Sequence, residues 1–255
     1  MSLLEVHHLK KIYTARFGGN AVQALTDVNF SVEAGEYTAI MGESGSGKTT
    51  LLNIIATLDR ATSGVVLLDG KELGVLPQRG LAAFRRKNLG FVFQDFNLLD
   101  TFSLKDNILL PLVLDRTDIR EMEARLTPIA MELGLTEILE RYPYEVSGGQ
   151  KQRAAVARAL ITNPRIILAD EPSGALDSKS TENLLRIFEA INLQGQTILM
   201  VTHSTRAASH AGRVLFIKDG IVYHQLYRGD LSVDAFYQKI VDTLTLITTG
   251  GKPHA

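Results

Sequence analysis

Apolar and polar residues take turns along Val22–Glu33, where Val28, Phe30 and Val32 alternate with Asp27, Asn29, Ser31 and Glu33. That period of two predicts a half-buried strand. Ala34 and Gly35 turn the chain into a second apolar run, Tyr37–Met41. A glycine-rich loop follows, then a helical pattern over Lys48–Leu58 with Leu51, Leu52, Ile54, Ile55 and Leu58 apolar. Val65–Leu68 and Leu89–Phe93 read as strands, the first closed by the hairpin pair Asp69-Gly70. From Ser103 to Ile161 the spacing is mostly helical, punctuated by Pro111, Pro128 and Pro143. Strand and helix then alternate: a strand at Arg165–Ala169, a helix over Thr181–Ile191, a strand at Thr197–Val201 and a short helix. A hairpin of Arg213–Lys218 and Ile221–Leu226 turns at Asp219-Gly220, before a closing helix over Asp234–Leu246. The polar tail Thr248–Ala255 is expected to fray. No low-complexity stretch, linker or repeat interrupts this order. Strands alternating with helices predict an α/β fold with a mostly parallel sheet covered on both faces. The helical middle reads as an inserted lobe.

Composition narrows the chemistry. The 255 residues contain no cysteine, which excludes disulfides, thiolate catalysis and cysteine-ligated metals. At 45% hydrophobic and 22% charged, the chain can build a core. Lys and Arg total 27 against 28 Asp and Glu, without a basic stripe, so no nucleic-acid partner is expected. The first residues have no cationic start or long apolar core, so no signal peptide is expected. No apolar run reaches the ~18–20 residues of a membrane-spanning helix. The expectation is a cytosolic chain able to dock on a membrane protein.

The run Gly42–Thr49, GESGSGKT, fits the pattern G-x-x-x-x-G-K-S/T between a strand and a helix. Its glycines let backbone N–H groups turn inward on a phosphate, and the following helix adds its positive end. Lys48 is placed to reach the β- and γ-phosphates of a nucleotide, and the Thr49 hydroxyl to bind Mg2+. Asp170 and Glu171 follow the apolar run from Arg165, where open α/β sheets place ligands. They read either as helix-capping carboxylates or, beside a phosphate loop, as a Mg2+ ligand acting through water (Asp170) and a base for water (Glu171). Ser147-Gly148-Gly149-Gln150 opens another helix, with Ala155, Val156, Ala159 and Leu160 apolar. It is either a plain capped helix or a second anion site.

The run Val146–Arg153, about twenty residues before the Asp-Glu strand, resembles the signature motif of ABC-transporter ATPases. Other positions fit the resemblance over residues 3–228. Gln94 resembles the loop glutamine that senses Mg2+ and the attacking water, His203 the switch histidine on the γ-phosphate, and Ala175-Leu176-Asp177 the loop that crosses to a partner subunit. Tyr13 resembles the aromatic that stacks on adenine, although an aromatic there also suits core packing. The remaining histidines, His7, His8, His210, His224 and His254, lack ligand spacing and read as surface. The resemblance implies a P-loop NTPase fold with an antiparallel β subdomain and an inserted helical subdomain. It implies one domain over 1–255: core and β subdomain at 1–95 and 163–228, helical subdomain at about 96–162, C-terminal helix and tail at 229–255.

The implied ATP site comprises Tyr13, Gly42, Ser44, Gly45, Ser46, Gly47, Lys48, Thr49 and Thr50 of one subunit. Ser147, Gly148, Gly149, Gln150 and Asp177 come from a second copy. Mg2+ falls to Thr49, Gln94 and Asp170, and catalysis to Glu171, His203, Gln94 and Lys48. The implied partners are a second ATPase subunit and a separate transmembrane permease, on the cytoplasmic face of a bacterial membrane. The segments 93–100, 107–112, 171–179 and 212–220 resemble the branch conferring resistance to peptide antibiotics such as bacitracin and lantibiotics. Lipoprotein-releasing, macrolide-efflux and cell-division ATPases are the near alternatives, and a soluble nucleic-acid-associated ATPase a distant one. Departures from the family pattern are Val146 for the usual Leu, Ser204 where Asp is common, and Glu43, expected to face solvent. The Phe- and Leu-rich segment Phe96–Leu114 suits the inner face of the helical lobe or a groove for a permease helix.

Overall fold

The computed structural model describes residues 2–14 and 21–249. In chain order its elements are β1 (Ser2–Tyr13), β2 (Val22–Glu33), β3 (Tyr37–Met41), α1 (Lys48–Ile55), β4 (Ser63–Leu68) and β5 (Lys71–Glu72). Then come α2 (Gln78–Asn88), β6 (Leu89–Phe93), α3 (Leu104–Leu114), α4 (Ile119–Glu132), short 3-10 turns at Thr136–Ile138 and Pro143–Glu145, α5 (Gly148–Leu160), β7 (Ile166–Asp170) and α6 (Ser178–Leu193). The chain closes with β8 (Thr197–Val201), α7 (Thr205–Ser209), β9 (Arg213–Lys218), β10 (Ile221–Tyr227) and α8 (Val233–Thr248). It divides into two compact units, Met1–Leu76 with Leu199–Ala255, and Pro77–Ile198.

In the first unit the strands lie in the order β5-β4-β1-β2-β10-β9-β3-β8. The β1–β2, β1–β4 and β9–β10 pairs are antiparallel, and β3 runs parallel to β9 with Met41 opposite Phe216. Every residue of β3 is buried. The alternation read in β2 holds, with Val28 and Val32 buried and Asp27, Asn29 and Glu33 exposed.

In the second unit β6 pairs parallel with β7, and Gly90 packs beneath α5. The helical middle is real, but Pro111 and Pro128 lie inside α3 and α4 rather than between helices. Each removes one N–H donor. Burial of Leu104, Ile108, Leu109 and Leu112 in α3, and of Leu126 and Ala130 in α4, outweighs that loss.

Other expectations shift for local reasons. Helix α1 stops at Ile55 instead of Leu58, because Thr57 turns into the left-handed region at φ 56° and Leu58 is left exposed. Helix α8 runs on to Thr248, whose hydroxyl donates to the Leu244 carbonyl at 2.9 Å. Of the tail expected to fray, Thr248 and Thr249 thus end a helix, and residues 250–255, with His254, lie outside the described residues. His210, read as surface, is buried: it caps α7, and its carbonyl accepts from Arg228 at 3.1 Å.

Gly90 has no room for a side chain, since an added Cβ would meet the Ala159 carbonyl oxygen at 2.6 Å. Replacing Gly90 with Ala is expected to destabilise the fold by about 1–3 kcal/mol through overpacking. Denaturant unfolding of both proteins checks it, and an unchanged midpoint contradicts it.

Candidate nucleotide-binding site

The loop after β3 shows why its sequence needs glycine. A Cβ on Gly42 would lie 2.3 Å from the Ile217 carbonyl oxygen. Gly47 stands at φ 97°, and a Cβ there would meet the Ala24 carbonyl oxygen at 2.4 Å. Helix α1 therefore starts on a left-handed glycine, with no side chain capping its first N–H groups. The Lys48 ammonium is buried and donates to the carbonyls of Gly42 and Glu43, both at 2.8 Å. Ser46 Oγ is buried with no hydrogen-bond partner among the described residues, as suits a loop that closes on a phosphate. Glu43, Ser44, Gly45 and Thr49 are exposed, which keeps the Glu43 carboxylate in solvent.

Tyr13 ends β1 and is 43% exposed, so it is not core packing. Its hydroxyl donates to Asp59 Oδ2 at 2.8 Å and lies 3.5 Å from Thr50 Oγ1, in the first turn of α1. Burial opposes the Asp59 charge, but hydrogen bonds from Lys11 and Tyr13 outweigh it and hold the carboxyl below its ordinary pKa. With its folded pKa depressed, Asp59 contributes stability at neutral pH that is lost as pH falls through that value. His203 is exposed at the end of β8. Thr202 N–H donates to the Ile40 carbonyl at 3.0 Å, so β8 and β3 end side by side and the first unit gathers the phosphate loop, Tyr13 and His203. Ser204 caps α7, its Oγ accepting from Ala207 N–H at 3.1 Å, so its role is to hold the turn after His203. A cavity of about 400 Å³ adjoins the loop, bounded by Gly42, Ser46, Ile217, Leu244 and Ile247. Ser44 and Gly45 of the loop also line it, whereas Tyr13, Lys48 and Thr49 do not.

The second unit gathers the remaining groups. Phe93 pairs with Asp170, so Gln94 and Glu171 leave neighbouring parallel strands at the same level. Gln94 is exposed, and Gly174 packs against its amide, where a Cβ would come within 2.9 Å. Asp170 and Glu171 are half-buried, with Glu171 in the left-handed region at φ 46°. Ser147 and Gln150 cap each other: Gln150 N–H donates to Ser147 Oγ at 3.3 Å, and Ser147 N–H to Gln150 Oε1 at 2.8 Å. The Ser147 hydroxyl, accepting that bond, keeps its own proton for donation. Asp177 caps α6, and the N–H and O–H of Ser180 hold its carboxyl below the ordinary pKa.

Two residues of α5 tie these loops together and escape a reading of the sequence. Gln152 is fully buried and donates to the carbonyls of Pro172 at 2.7 Å and Phe93 at 3.4 Å. Arg158 donates to the carbonyls of Phe96 and Asn97, which sit at φ 62° and 48°. The one signal for them is polarity on an otherwise apolar helix face. In the segment after Gln94, Leu104, Ile108 and Leu112 are buried whereas Leu99 and Phe102 are exposed at 45% and 37%.

Residues 25–174 match the family model described as ABC transporter. Over 247 residues the chain is 50% identical to the ABC transporter ATP-binding protein YxdL of Bacillus subtilis, covering 96% of this chain and 95% of that one. It is 47% identical over 244 residues to the bacitracin export ATP-binding protein BceA of Halalkalibacterium halodurans, covering 95% and 96%. Among solved structures, the ATP-binding cassette MJ0796, dimeric in a post-hydrolysis state bound to ADP and Pi, superposes with a TM-score of 0.79 at 37% identity, covering 88% of this chain and 98% of its own. The chain belongs to the ABC transporter family. Within it, this chain is an ATP-binding ATPase with the P-loop NTPase fold.

Replacing Gln152 with Leu leaves the Pro172 carbonyl without its donor. The expected cost is about 1–3 kcal/mol of unfolding free energy, read from denaturant melts; a variant as stable as wild type contradicts the tie.

Proposed function

We propose that this chain powers a transporter that protects bacteria from peptide antibiotics, working with a separate permease at the cytoplasmic face of the membrane. Its 47% identity to a bacitracin export ATP-binding protein supports that substrate class. Among the described residues no helix is long and apolar enough to cross a membrane. The near-neutral charge of -1 supports a partner other than nucleic acid.

The observation that carries the mechanism is a pair of glycine-bearing helix starts: α1, uncapped and with Lys48 folded back on its loop, and α5, where Ser147 and Gln150 flank Gly148 and Gly149. In this reading two copies pair head to tail. ATP lies on the loop Gly42–Thr50 of one copy and under Ser147, Gly148, Gly149 and Gln150 of the other, with Asp177 crossing between copies. Lys48 neutralises the β- and γ-phosphates, and Tyr13 stacks on adenine. The Ser147 hydroxyl donates to the γ-phosphate. Glu171 takes a proton from water as its oxygen bonds to the γ-phosphorus, and the bond from phosphorus to the bridging oxygen of ADP breaks. His203 donates to the departing phosphate, and Gln94 orients the water. The Thr49 hydroxyl, the Asp170 carboxylate acting through water, and the Gln94 amide fit Mg2+, which favours one or two protein oxygens alongside phosphates. When bound it supplies positive charge to the phosphates. Losing the γ-phosphate removes the bond between copies, so the pair opens and drives the permease.

Hydrolysis is tested by phosphate release with ATP and Mg2+, which is expected to vanish in Lys48→Ala. Glu171→Gln is expected to cut turnover at least about a hundredfold and to elute as a dimer with ATP; a strictly monomeric profile contradicts the shared site. Replacing exposed Leu99 with Glu is expected to leave ATP binding intact and abolish peptide resistance in cells, whereas unchanged resistance counts against permease docking there.

A further inference from the structure

Tyr13 takes the base in the proposed site, and the role inferred for the residues that hold its ring rests on that reading. The ring is held from several sides. Its hydroxyl donates to Asp59 Oδ2. Lys11, two residues earlier on the same face of β1, donates to Asp59 Oδ1 at 2.6 Å and to the Arg60 carbonyl at 2.7 Å. The same ammonium lies 4.6 Å from the centroid of the Tyr13 ring. The pair is shielded, with the Lys11 side chain 11% and Asp59 27% exposed, so it is stiffer than an open surface bridge.

The acceptor is itself anchored. Asp59 N–H donates to the Asn53 carbonyl of α1 at 3.1 Å, and Arg60 N–H to Asp59 Oδ1 at 2.7 Å. One step on, Thr62 N–H donates to the Lys10 carbonyl at 2.8 Å, and Ile12 N–H to Thr62 Oγ1 at 2.9 Å. The end of β1 is thus stitched to the segment that leaves α1, the helix whose start is the phosphate loop. A cation on one face of an aromatic ring leaves the other for stacking.

We propose that Asp59 and Lys11 are positioning residues for base recognition. They fix the Tyr13 ring with one face against the Lys11 ammonium and the other turned to a purine base, so the helix that carries the phosphate loop also sets where the base lies. The anchor acts on the nucleotide's base and leaves its phosphates alone, which separates it from a general support of the fold.

Calorimetric titration with ATP and with inorganic tripolyphosphate, both with Mg2+, distinguishes the two roles. Asp59→Ala and Lys11→Met are expected to weaken ATP binding about five- to tenfold while tripolyphosphate stays within about twofold. In a Tyr13→Ala background, Asp59→Ala is expected to add no further loss. Asp59→Asn, which keeps the shape and an acceptor for the Tyr13 hydroxyl, is expected to fall between wild type and Asp59→Ala, and it carries the test if the alanine variant does not fold. Equal losses for ATP and tripolyphosphate, or additive losses in the double variant, overturn the positioning role. If Tyr13→Ala weakens ATP and Asp59→Ala does not, the anchor alone falls. If Tyr13→Ala binds ATP as tightly as wild type, base stacking on Tyr13 falls, and the anchor with it.

Discussion

The glycine-bearing starts of two helices, α1 and α5, are the constraint on which the rest depends. A helix leaves its first N–H groups without internal partners, and the accumulated dipole makes that end attractive to anions. A side-chain cap satisfies one of those groups. Helix α1 has none, because Gly47 approaches the chain in a left-handed turn packed against Ala24. Helix α5 solves the problem differently: Ser147 and Gln150 satisfy each other and leave Gly148 and Gly149 between them. The lysine at the first start is buried and bonds back to its own loop, whereas Lys151 at the second is half-buried and follows the capping pair. In the proposed mechanism each start takes one side of the triphosphate, which is the physical reason for expecting two copies to share one nucleotide.

In the second unit the same helix that begins at Ser147 also holds the loops bearing Glu171 and Gln94. Gln152 reaches the chain just after Glu171, and Arg158 reaches the chain just after Gln94. Those loops carry left-handed residues that are not glycine, Glu171, Phe96 and Asn97, a conformation that persists only where surroundings enforce it. Buried hydrogen bonds from a rigid helix are such an enforcement. One packed helix thus links the Ser147 start to the loops that carry the Glu171 carboxylate and the Gln94 amide.

Legibility in the sequence follows the range of the interaction. The phosphate loop, the Asp170-Glu171 strand end and the Ser147 cap are local, and their chemistry shows in consecutive residues. Strand β1 is hard to see because bulges break its register and place His7 and His8 outside together. Helix α2 buries Leu81 alone, so it has no apolar stripe to find. Gln152 looks like a surface residue because only the folded helix shows that its neighbours are buried. The Lys11–Asp59 pair joins residues far apart in the chain, and no spacing rule connects them. His210 misleads for the same reason: its burial comes from the turn between α7 and β9 and not from its neighbours in sequence.

The shared nucleotide is tested most directly by mixing two crippled chains. A Lys48→Ala chain cannot hold the triphosphate, and a Ser147→Arg chain cannot complete its partner's site. Either alone is expected to release no phosphate above background. Mixed, the first lends its intact Ser147 helix start to the intact phosphate loop of the second, and hydrolysis should return. If the mixture stays as inactive as its components while both variants still form mixed dimers, the nucleotide is not shared between copies.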